Sequence, residues 1–109
     1  FDVAVGAPAA GEHTVGCSAP SSPQWEALVS GVRRAASDTL GGELPPPPYA
    51  PHTSLAYAIG DVDGALVASR LVGAAEIGPV RIDRVHLVSV TVRPELGTFD
   101  WIELANVDL

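Results

Sequence analysis

The sequence predicts an α+β domain, an antiparallel or mixed sheet with two helices on one face, in the order β-β-α-β-α-β-β. Three observations carry this. Apolar residues alternate with period two near both ends of the chain, a capped stretch of helical spacing lies between residues 22 and 42, and Pro/Gly clusters separate the segments.

Phe1, Val3 and Val5 alternate with Asp2 and Ala4 up to Gly6, the pattern of a half-buried strand. Ala7 to Gly11 predicts a turn, and Thr14 to Ala19 a second strand that closes an antiparallel hairpin with the first. Ser22 is placed as an N-cap, with Pro23 at the first helical position, where a missing N–H costs nothing. Trp25, Leu28, Val29, Val32 and Ala36 then recur at helical spacing, and Gly41-Gly42 ends the helix. Glu43 to Pro51 reads as a loop stiffened by Pro45–Pro48, a rigid connector. It delivers the chain into a strand at Pro51 to Ala58. A second helix is expected from Asp61 or Asp63 to near Gly73, with Val62, Leu66 and either Val67 or Arg70 facing inward. Ile77 to Arg93, rich in β-branched residues, predicts one long strand with room for a bulge. Pro94 to Gly97 turns it into a final strand, Thr98 to Leu109.

Composition narrows the function classes. At 109 residues, 47% hydrophobic and 17% charged, the chain has one domain's length and is too apolar to be disordered throughout. Thirteen acids against six bases give a net charge of -7, which repels duplex nucleic acid and anionic membranes but leaves room for one small phosphate ester in a local pocket. Cys17 is the only cysteine, so an internal disulfide and a cysteine-based zinc site are both excluded. A lone thiol suits a reducing compartment, and a cytoplasmic location is expected. No apolar run approaches the roughly 18 residues of a membrane helix. The chain contains no methionine and opens on Phe1-Asp2-Val3, which reads as mid-strand, so a fragment or a processed product is expected.

One segment carries chemistry. In the strand 51–58, strict alternation sends His52, Ser54 and Ala56 to one face, and Thr53, Leu55 and Tyr57 to the other. Leu55 and Tyr57 suit a helix-covered face and Tyr57 is assigned to the core. The opposite face then offers an imidazole that exchanges a proton near neutral pH and a hydroxyl that donates to a phosphoryl oxygen. The remaining candidates are weaker. His13, beside Glu12, reads as exposed, and the facing of His86 is ambiguous. His13, His52, His86 and Cys17 include no short-spaced ligand pair, so neither a metal site nor a cofactor is expected.

The run Tyr49-Ala50-Pro51-His52-Thr53-Ser54-Leu55-Ala56-Tyr57-Ala58 resembles the second H-x-T/S motif of the two-histidine phosphoesterase superfamily, which includes 2′-5′ RNA ligase-like proteins and RNA 2′,3′-cyclic phosphodiesterases. The opening Phe-led strand, the helix ending Val32-Arg33-Arg34-Ala35, the segment Val85-His86-Leu87-Val88-Ser89 and the closing Phe99 to Leu104 agree with it. Thr53 departs mildly, since that position is commonly apolar.

The resemblance implies one lobe of a bilobal, pseudo-two-fold fold, matching the C-terminal half, with the other motif expected upstream. Glu12-His13-Thr14-Val15 is not that motif, because Val15 stands where Thr or Ser is required. The resemblance further implies that His52 is one of two catalytic histidines and Ser54 its phosphate-contacting hydroxyl. Tyr49 and His86 are candidate substrate-binding residues at the groove. The implied activity is metal-free acid/base hydrolysis of a 2′,3′-cyclic phosphate or 2′-5′ linkage at a nucleotide or RNA terminus. The implied partners are the missing N-terminal lobe or a second copy of the chain. A non-catalytic nucleotide- or RNA-binding domain of the same fold is the alternative.

Overall fold

The computed structural model describes residues 1–47 and 50–109. The protein is α+β, and its elements run β1 (Asp2–Val5), β2 (Ala9–Ala10), β3 (Thr14–Ser18), α1 (Pro23–Leu40), β4 (His52–Tyr57), α2 (Gly64–Leu71), β5 (Gly78–Arg81), β6 (Arg84–Arg93) and β7 (Thr98–Asp108). The chain divides into two compact units: residues 2–80, and residues 81–109 together with Phe1.

Local chemistry accounts for both helices in the first unit. The Ser22 hydroxyl accepts a hydrogen bond from the Trp25 amide at 3.2 Å, satisfying a donor that the first turn leaves open. Pro23 starts α1, and Gly41, at φ 69°, ends it with its N–H on the Ser37 carbonyl. Trp25, Leu28, Val29 and Ala36 form its half-buried stripe, whereas Val32, expected on the same face by its spacing, is 45% exposed. The Asp63 carboxylate caps α2 by accepting from the Ala65 and Leu66 amides at 3.0 and 3.1 Å, and α2 packs along β2.

Among the described residues the strands form three sheets, β1-β5, β2-β3-β4 and β6-β7, rather than the single sheet expected from sequence. The reason lies at β3. Its edges are occupied by β2 on one side and β4 on the other, so β1 takes its ladder from β5. The hairpin that leads into β3 therefore starts at Ala9–Ala10, inside the expected turn, and just past the end of β1 the Gly6 amide donates to the Ser18 carbonyl of β3. Among the described residues of this unit, Val3, Val5, Cys17, Ala19 and Pro51 are buried, and Cys17 is 2% exposed.

The antiparallel β3–β4 ladder carries a bulge. Thr53 pairs with Cys17 and Ser54 with Gly16, but Ala56 pairs with Val15, which leaves Leu55 as the extra residue. The strands approach so closely that a Cβ on Gly16 would stand 2.9 Å from the Thr53 carbonyl oxygen.

In the second unit, β6 and β7 form an antiparallel hairpin closed by Pro94–Gly97, where the Leu96 and Gly97 amides donate to the Arg93 and Pro94 carbonyls and Gly97 adopts φ 63°. The long strand expected over 77–93 is broken at Ile82–Asp83, because its two parts pair with different strands: β5 with β1, and β6 with β7. The β6–β7 ladder is also bulged. Leu87 pairs with Ala105 and Val88 with Glu103, making Leu104 the extra residue. One face of the hairpin consequently has Val88, Val90, Val92, Phe99 and Trp101 near the turn, with Arg84, His86, Glu103, Asn106 and Asp108 toward the open end. On the other face the apolar group, Val85, Leu87, Ile102, Ala105 and Val107, lies toward the open end.

The close approach at the first bulge makes a signed prediction. Gly16→Ala forces the Thr53 carbonyl aside and should destabilise the protein by about 1–3 kcal/mol. Gly31→Ala, inside α1 with nothing within 4 Å of the added Cβ, should stabilise it by about 0.5–1 kcal/mol. Urea midpoints of the two variants should move in opposite directions.

Candidate functional site

The candidate site is one face of the sheet β2-β3-β4. Paired residues on neighbouring antiparallel strands project to the same side. Because His52 pairs with Ser18 and Ser54 with Gly16, these residues lie on the side opposite buried Cys17, away from the core. Both His52 and Ser54 are exposed. Gly16 contributes no side chain between them, so the floor beneath the pair is bare backbone.

The bulge changes the membership of this face. Strict alternation grouped Ala56 with His52 and sent Tyr57 into the core. With Leu55 unpaired, Ala56 joins the Cys17 side, while Tyr57, opposite Thr14, joins the side of His52 and Ser54. Tyr57 and Leu55 are 54% and 55% exposed, so neither is a core residue. The face therefore presents Thr14, Ser18, His52, Ser54 and Tyr57 above the small Ala9 and Gly16. Thr14, Ser18 and Tyr57 were missed from sequence because their facing depends on cross-strand register; Ser18 was legible only once β3 was known to pair with β4.

His52, Thr53 and Ser54 line a shallow concavity of about 280 Å³ with Ala9, Gly11 and Ser18. A second concavity of about 180 Å³, lined by Tyr57, Val62 and Val67, shares Gly11 and Thr14 with it. Each lies below the roughly 300 Å³ of the smallest ligand pockets. The two adjoin along the β2–β3 turn.

The His52 ring is oriented by its own approach segment. Its Nδ1 lies 3.1 Å from the Ala50 carbonyl oxygen. A carbonyl only accepts, so Nδ1 carries the proton and Nε2 keeps the lone pair in the neutral ring.

Tyr49 lies outside the described residues. His86 is in the other compact unit, on the hairpin, where its Nδ1 is 2.6 Å from Glu103 Oε2. The Asn106 amide donates to Glu103 Oε1, also at 2.6 Å. Leu104 decides this cluster: without the extra residue, Glu103 would face the opposite side of the hairpin from His86. His13 is exposed beside Glu12, as expected. Among the described residues, no group of three or more His, Cys, Asp or Glu side chains is arranged to hold a metal ion. No helix among them is long and apolar enough to cross a membrane.

Comparison with protein-family models, with curated proteins and with solved structures found no match to this chain.

The Glu103 carboxyl is held below the ordinary carboxylate value, first by the Asn106 amide and then by the His86 ring, both of which bond to its charged form. A depressed carboxyl favours the folded hairpin above its unfolded value of about 4.3, and that contribution disappears as pH falls through the lower folded value. Side-chain ¹³C titration of Glu103 should give a midpoint below the ordinary value, and Asn106→Ala should raise it.

Proposed function

We propose that His52 and Ser54 form one half of a two-histidine phosphoesterase site, on one lobe of a bilobal fold, acting on a 2′,3′-cyclic phosphate or 2′-5′ phosphodiester at a nucleotide or RNA terminus. The observation that carries this reading is the register of β3 against β4. It sets an imidazole and a hydroxyl on one open face of a strand, over a residue without a side chain and away from the core.

The chemistry follows from that geometry. The Ala50 carbonyl holds the Nδ1 proton, which leaves Nε2 to take a proton from water as it attacks phosphorus, or, once protonated, to give one to the departing ribose oxygen. The Ser54 hydroxyl donates to a non-bridging oxygen as charge builds there. In-line opening of a cyclic phosphate needs an acid and a base on opposite sides of phosphorus. His52 supplies one of them. A second imidazole and hydroxyl must come from another lobe of a longer protein or from a second copy of this chain. The reaction so written uses no metal or cofactor. The net charge of -7 favours a small terminal phosphate over a duplex, whose extended backbone the protein would repel. A cytoplasmic setting, where RNA termini and reduced thiols coexist, fits the lone buried Cys17.

Two measurements test this. Titration of the ¹⁵N-labelled chain with nucleoside 2′,3′-cyclic phosphates should shift the amides of Ser18, His52 and Ser54, and His52→Ala/Ser54→Ala should abolish the shifts. Where a second histidine motif completes the site, His52→Ala should lower cyclic phosphodiesterase turnover by roughly 10²–10⁴-fold with the fold intact. Unshifted β3 and β4 amides, or full turnover in the His52→Ala protein, would overturn the assignment.

A further inference from the structure

The hairpin holds a second assembled group of polar side chains. His86, Glu103 and Asn106 share one face, and both Glu103 oxygens are engaged at 2.6 Å, one by His86 Nδ1 and one by the Asn106 amide. A carboxylate only accepts, so the proton sits on Nδ1, and the lone pair on Nε2 points away from Glu103. A carboxylate behind an imidazole fixes its tautomer and orientation and stabilises positive charge that develops on the ring during reaction. Asn106 in turn fixes the carboxylate. The His86 side chain is 45% exposed, which leaves its far nitrogen open to a small reagent.

Arg84 sits two positions along β6 on the same face, with Nε 2.6 Å from Asp108 Oδ1. Its guanidinium is taken up by the Asp108 carboxylate, so reactivity at His86 rests on the orientation of its ring by Glu103 and Asn106. The other two histidines lack this support. The Nδ1 of His52 meets a neutral carbonyl, and His13 lies 3.6 Å from its exposed chain neighbour Glu12.

We propose that His86 is a nucleophilic imidazole that accepts a phosphoryl group on Nε2 from small activated donors of the phosphoramidate and acyl-phosphate class. The Nε2 lone pair forms the new N–P bond. The donor's bond to its leaving group breaks, and that electron pair departs with ammonia from phosphoramidate or with a carboxylate from an acyl phosphate. The ring becomes an imidazolium whose Nδ1 proton stays on the Glu103 hydrogen bond, and no atom changes oxidation state.

The test is incubation of the intact chain with phosphoramidate at neutral pH, followed by ³¹P NMR and by fragmentation mass spectrometry to place the group on each histidine. His86 should be modified at least about tenfold faster than His13 or His52, and on Nε2. Glu103→Gln should slow His86 roughly 10-fold or more, and Asn106→Ala should slow it by less, because the carboxylate remains. The rates at His13 and His52 should be unchanged in both variants, which separates loss of orientation from loss of fold. Modification of His86 no faster than of His13, an unchanged rate in Glu103→Gln, or attachment at Nδ1 would each overturn the proposal.

Discussion

Side chains alternate along a strand, so one residue without a ladder partner reverses the facing of everything beyond it. This protein has two such residues, Leu55 in β4 and Leu104 in β7, and both clusters of polar chemistry depend on them. Leu55 turns Tyr57 toward His52 and Ser54, and Leu104 turns Glu103 toward His86. Each bulge re-aims a side chain at a place where regular pairing would have left an imidazole with fewer neighbours. The first is coupled to Gly16, since the Thr53 carbonyl occupies the space a side chain there would need.

The two sides of the sheet β2-β3-β4 accordingly do different work. One side contributes Cys17 to a core of small apolar residues with Val3, Val5 and Ala19. The other is relieved of packing and carries hydroxyls and an imidazole over Ala9 and Gly16. Polar groups on that side stay hydrated, so they cost little to keep there and are available to a ligand.

The hairpin is organised by a different balance. Two cross-strand ion pairs, Arg84–Asp108 and Arg93–Asp100, and the His86–Glu103 hydrogen bond lie along it, all of them exposed. Exposed contacts of that kind add little to stability because water screens them, so their effect is on which residues sit opposite one another. The apolar residues change face about midway along the strands, so neither face is uniformly greasy.

Features decided within a few residues of chain were legible in the sequence. Ser22 and Asp63 cap their helices, Gly41 stops α1, Pro94–Gly97 turns the hairpin, and β4 begins at the histidine of the H-x-S run. Each depends on a backbone preference or a side-chain oxygen acting on a nearby amide, and among them only the choice of Asp63 over Asp61 as a cap stayed open in the sequence. His52 and Ser54 could be grouped for the same reason: they are two apart, with no bulge between them. Partner choice and register could not be read. That β1 joins β5, that the stretch after Ile77 breaks at Ile82–Asp83, and that Tyr57 and Glu103 face the way they do are settled by pairings between distant segments. The sequence alone determined both helices, most of the strands and which residues could do chemistry. Tertiary structure decided which of those residues share a face, because a ladder's register is fixed by how closely two remote backbones can approach.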